Sequence, residues 1–339
     1  NATTSALERR LMLPYTNLPE DLFQGFQSLL DPRTPKERYP AALARLRKYN
    51  GAEPGYTPIT ELAQDRAEER FDVPGLTGPW KVEVEQHLEN QSRYVSGIRD
   101  LFEKSGLKGW QTDLEKLEGQ LDDHAAWVRA QILPRARDTN RLPPEIYADN
   151  LRNFGVKADP LELIDRALIG FVQTRDELQA LAAVVAKERG YASSDYRDVL
   201  RSLKKDTVAN DALLETYRSR LRDVEEIIRE QDLITLPDRD AVIRLATEAE
   251  SAAIPAPHLS PPRLIGNTGE PAEFVLPLEN PNATPGAAMD DFNFDAITWP
   301  LSAHEARRGP ELQVAKMVGV GVWSRRRGVA LTCALVGGG

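Results

Sequence analysis

"DLEKLEGQLDDHAAWVRAQIL", Asp113 to Leu133, carries apolar residues at Leu114, Leu117, Leu121, Ala125, Val128 and Ile132. Steps of three and four residues bring all six to one face of an α-helix and leave the acids and amides on the other. Pro134 follows directly and cannot continue the helix. The same grammar recurs on both sides. "PWKVEVEQHLENQSRYVSGIRDLFEKSG", Pro79 to Gly106, places Val84, His87, Leu88, Ser92, Val95, Ile98 and Phe102 near one stripe, and Gly106 is a natural stop. "NDALLETYRSRLRDVEEIIREQDL", Asn210 to Leu233, adds Leu213, Tyr217, Leu221, Val224 and Ile228. Between them, Pro160 to Gly190 is long enough for one extended helix or two in succession. One-sided helices of this length must bury their stripes on one another, so the spacing predicts a mainly α protein built from many helices. No fixed period repeats, which excludes a solenoid.

The chain has 339 residues, 41% of them apolar and 28% charged, with a net charge of −9. This is ordinary globular composition. The acidic balance, with bases interleaved among acids, excludes a phosphate-neutralising surface and with it nucleic acid as a partner. The one basic run, Arg325 to Arg327, reads as a solvated patch. Cys333 is the sole cysteine, so no disulfide forms within the chain. No apolar run approaches the ~20 residues that span a bilayer. The sequence opens on Asn1 without methionine, which leans towards a fragment or an exported form whose leader has been removed.

The texture changes at Ile254, dividing the sequence into a helical region (1–253), a strand–loop–helix region (254–318) and an anomalous tail (319–339). In the middle region "EFVLPL", Glu273 to Leu278, favours a strand or hairpin, and Pro277 assigns that strand to a sheet edge or marks its end. "FNFDAITWPLSAHEA" resumes helical spacing through Ile297, Leu301 and His304. Pro300 fits best in a first turn, which predicts a helix starting near Thr298.

His304 and Glu305 open a metal-hydrolase pattern. Such a site needs imidazoles on the metal and a carboxylate that takes a proton from bound water. A second histidine at i+4 would complete the helical form, but Arg308 stands there, a permanent cation. His258, Arg263 and Asn267, in the proline-rich loop, are candidates for holding a peptide backbone or carboxylate. His87 and His124 fall on amphipathic helices and read as structural, and Trp80, Trp110, Trp127 and Trp299 as packing anchors.

Three long phrases, "LPPEIYADNLRNFGVKADP" from Leu142, "PAPHLSPPRLIGNTGEPAEFVLPLENP" from Pro255 and "DDFNFDAITWPLSAHEARRGPELQ" from Asp290, resemble the bacterial DUF885 family, roughly as far as Val318. The resemblance implies a mostly helical, zincin-type metallopeptidase fold, bound zinc and a peptide substrate. The family motif reads H-E-A-x-P-G-H. His304, Glu305, Ala306 and Gly309 match it, whereas Arg308 replaces the proline and Pro310 the second histidine. By that resemblance His304 would ligate zinc and Glu305 would activate water. With Pro310 offering no donor, and with no later glutamate-bearing segment, the expectation is weak or absent zinc and a C-terminally truncated, inactive chain that serves as a helical binding scaffold. Glu311 is the nearest substitute ligand. A reading-frame slip would account for the tail, and exposure of Ile297 and Leu301 would favour self-association.

Overall fold

A computed structural model describes residues 6–236, 240–263, 267, 270–282 and 291–307. Arg308, Pro310, Glu311 and the 319–339 tail lie outside the described residues. The chain divides into two compact units, residues 1–156 and 157–339. The boundary falls inside the 1–253 helical region, so that region contributes to both units.

The first unit contains α1 (Ala6–Leu11), α2 (Leu18–Leu30), α3 (Pro40–Tyr49), α4 (Ile59–Glu68), α5 (Lys81–Ser105), α6 (Gln111–Trp127) and α7 (Pro144–Asn153). α2 lies along α5. Phe26 of α2 meets Phe102 of α5 edge-on at 5.2 Å between centroids, and Phe102 also stacks on Trp110, just before α6, at 5.5 Å. The six stripe residues of the Asp113–Leu133 stretch, Leu114 to Ile132, are all buried. After Trp127 the backbone widens into a π-helical turn, Val128–Ile132, and then tightens before Pro134. α5 ends at Gly106, whose φ of 77° is the left-handed conformation glycine adopts without strain. Gly78 is required for a different reason. A Cβ there would lie 1.9 Å from the carbonyl oxygen of Arg135.

His124 is buried and its Nδ1 lies 3.2 Å from the amide nitrogen of Gln64. Burial with no charged partner drives its pKa down to about 4. His87 pairs with the Tyr15 hydroxyl at 3.1 Å, and desolvation lowers its pKa too. Both histidines are therefore neutral packing elements, as their helical positions suggest.

The second unit contains α8 (Pro160–Arg189), α9 (Tyr196–Leu203), α10 (Asn210–Glu230), β1 (Val242–Leu245), α11 (Glu248–Ala253), β2 (His258–Ser260), β3 (Glu273–Leu276) and α12 (Asp295–Leu301). The Pro160–Gly190 segment is one helix, capped by the Asp159 side chain at its start and by left-handed Gly190 at its end. The strands form one sheet in the order β1-β3-β2, with β1 parallel and β2 antiparallel to β3. The expected edge strand is thus the central one. β3 is buried at Phe274, Val275 and Leu276, and Pro277 follows its last paired residue, so a missing N–H costs the ladder nothing. Leu213, Tyr217 and Leu221 of α10 pack on Ile243, Phe274 and Leu276 of the sheet.

Candidate functional site

The helix that carries His304 and Glu305 is fixed by α10 and the residues just before it. The N–H of Val208 bonds to the carbonyl of Asn293 at 2.6 Å, and the N–H of Asp295 to the carbonyl of Asp206 at 2.9 Å. Arg220 of α10 bonds Asp295 at 2.7 Å and lies over the Trp299 ring at 4.7 Å. These ties start α12 at Asp295, earlier than Thr298, and leave Pro300 inside the helix. A proline there removes one amide donor and crowds the preceding turn. The backbone responds by opening into a π-helical segment, Ser302–Arg307. This wider winding changes which residues share a face. Ile297 and Leu301 are half-buried, with Leu301 on the core cluster, while His304 leaves the apolar stripe and is exposed, at 71% of its side chain. Ser302 is fully buried, and its hydroxyl has no partner among the described residues.

Glu305 points the other way. Its side chain is largely buried, and its carboxylate accepts a hydrogen bond from the backbone N–H of Leu259 in β2. β2 is an edge strand, and in an antiparallel strand the N–H and C=O of alternate residues face opposite sides. Among the described residues β2 has β3 as its one strand neighbour, and the Leu259 N–H, engaged by Glu305, is not spent on that ladder, so Glu305 takes the place an added strand's carbonyl would take. Burial raises the carboxyl pKa, opposed by the nearby His304 and by the Leu259 amide. His304 Nε2 and Glu305 Oε1 are 3.8 Å apart.

The three loop candidates have other partners. His258 sits in β2, half-buried, with Nδ1 2.8 Å from the carbonyl oxygen of Ala256, and desolvation lowers its pKa. Arg263 is engaged by Glu270, and Asn267 closes the same turn by accepting from the N–H of Glu270 at 3.0 Å and donating to its carbonyl at 3.1 Å. Arg263 and Asn267 thus share Glu270 as a partner. An ion-pair cluster that the sequence did not announce lies in the same sheet. Arg244 of β1 donates to Glu250 at 2.7 and 2.9 Å and to Glu273 of β3 at 2.7 Å. Burial opposes the guanidinium charge, but the two carboxylates outweigh it and hold the Arg244 pKa above its ordinary value. The residue types are visible in the sequence, but the parallel β1–β3 register that unites them is not.

Among the described residues no group of three or more His, Cys, Asp or Glu side chains is placed to hold a metal ion. His304 and Glu305 supply at most two donors, and sequence neighbours Arg308 and Pro310 supply none. Among the described residues the donor set therefore does not by itself complete a zinc site. No described helix is long and apolar enough to cross a membrane.

The fold is similar to that of a putative lipoprotein of unknown function from Shewanella oneidensis, with a TM-score of 0.53 and 16% identity. The match covers 92% of this chain and 56% of that one, so the chain spans little more than half the length of its structural relative. Comparison with curated proteins finds no match. The family model for bacterial proteins of unknown function, DUF885, matches residues 2–331, continuing past Val318 into the segment the sequence reading set apart. With almost the whole sequence matched, the chain belongs to the DUF885 family.

Proposed function

We propose that strand β2 and the segment carrying His304 and Glu305 form the peptide-binding part of a peptide-hydrolase-type site, and that this chain binds extended peptides without retaining zinc. The observation that carries this reading is the buried Glu305 carboxylate on the outward amide of edge strand β2. An extended peptide added to that edge would displace Glu305 from Leu259 and leave the carboxyl beside the peptide backbone. A carboxyl group with a raised pKa in such a place can hold and pass on a proton, which is the role of a general base or acid. His304, on the solvent side, is the imidazole that the family motif assigns to a metal. A single imidazole beside one carboxylate holds zinc weakly, and with Arg308 and Pro310 in the motif the site lacks the further donors that peptide hydrolysis by metal-activated water needs.

Metal analysis with a peptidase assay tests the reading. Protein dialysed against micromolar zinc should carry well under one zinc per chain and release no fragments from an unfolded protein substrate. Stoichiometric zinc and peptide cleavage, both lost on His304→Ala, would show a working hydrolase and refute the absence of zinc.

A further inference from the structure

α8 presents an apolar seam to solvent. Leu161, Ile164, Leu168, Phe171 and Leu178 are all exposed, Leu161 at 72% and Phe171 at 63%. With Arg175 they recur in alternating steps of three and four, the a/d spacing of a two-helix seam. Beyond Leu178 the same register reaches Ala182 and Val185, which are covered by Val199, Tyr196 and their neighbours around α9. The exposed seam is therefore bounded, running from residue 161 to residue 178.

We propose that this seam is a self-association surface, on which α8 of a second copy packs antiparallel about a two-fold axis between Ile169 and Gly170. The sequence is matched to itself about that point. Antiparallel pairing sets Leu161 against the second copy's Leu178, Leu168 against its Phe171 and Ile164 against its Arg175, each pair occurring twice by symmetry. Charge selects this orientation. A parallel pair would stack Arg175 on its own copy at an a position, whereas the antiparallel pair brings Arg175 beside Asp165, the neighbour of Ile164 in the second copy. Among the described residues Arg175 pairs with the adjacent, exposed Asp176, at 3.0 Å.

Size sets the strength. The seam is roughly 27 Å long, one helix face wide, and flanked by exposed Ile169 and Val172. A single two-helix seam sits at the low end of specific interfaces, which start at ~1,200 Å² in total. A face of that size suits a weak, reversible dimer.

Sedimentation equilibrium of the full chain between ~1 and ~300 μM tests this. A monomer–dimer equilibrium is expected, abolished by Leu168→Glu with an unchanged circular-dichroism spectrum. Arg175→Glu should weaken the dimer about fivefold, and adding Asp165→Arg should restore it. A monomer at every concentration overturns the proposal. So does association that survives Leu168→Glu, failure of the charge swap to rescue, or a monomer that instead cosediments with phosphatidylcholine vesicles through this face.

Discussion

Arg244→Ala is expected to destabilise the β-sheet of the second unit by about 3 kcal/mol. Glu250 and Glu273 retain only 9% and 15% side-chain exposure, so removing the guanidinium leaves two poorly hydrated carboxylates facing one another. Breaking a fully buried pair costs about 3–5 kcal/mol, and the lower end applies because Arg244 itself keeps 31% exposure. Part of the loss is local. Glu250 also completes the capping box of α11, accepting the N–H of Thr247 at 2.8 Å, so a carboxylate driven outward would uncap that helix. Hydrogen exchange over residues 242–276 reads the effect. Protection should fall by about two orders of magnitude in Arg244→Ala and recover substantially when Glu250→Gln and Glu273→Gln are added. Unchanged protection in the single variant would mean that the carboxylates reach water without the arginine.

The first unit should lose about 2–3 kcal/mol of stability between pH 7 and pH 4 through His124 alone. Its folded-state pKa, about 4, lies below the ordinary imidazole value of 6.5. The unfolded chain therefore takes up a proton first as the pH falls. Stability from this group is complete above about pH 6.5 and is lost progressively down to the folded pKa. The cause is desolvation, since the ring is 5% exposed and stacks on Trp127 at 5.5 Å, with Gln64 as its polar neighbour. His124→Gln removes the titration, so its urea midpoint followed by Trp127 fluorescence should vary less between pH 7 and pH 4 than that of the parent. Equal slopes would place the acid sensitivity elsewhere.

The helices were legible because their stripes are local. Leu114 through Ile132, and Leu213 through Ile228, are buried as their spacing requires, and Gly106 and Gly190 end helices because both adopt positive φ. What escaped the sequence depends on long-range pairing or on backbone accommodation. β3 became central because β1, about thirty residues earlier in the chain, pairs with it in parallel, a partner no local pattern names. The start of α12 moved to Asp295 because Asp206 and Arg220 hold it there, and a π-helical segment then accommodated Pro300. That same widening exposes His304 while burying Glu305. The dipeptide was visible as a motif fragment, but the opposite orientations of its two side chains were not. The chemistry of Arg263 and Asn267 is visible in the sequence, but their shared partner Glu270 is not.

The claim that the β2 edge beside Glu305 receives an extended peptide is tested most directly by fluorescence anisotropy of a labelled, extended peptide titrated with the parent protein and with Leu259→Pro. Proline there removes the outward amide without touching the ladder to β3, so the sheet should stand. Saturable binding by the parent, weakened at least tenfold by Leu259→Pro with an unchanged circular-dichroism spectrum, is the expected result. Equal binding by the two proteins, or none by the parent, would contradict it.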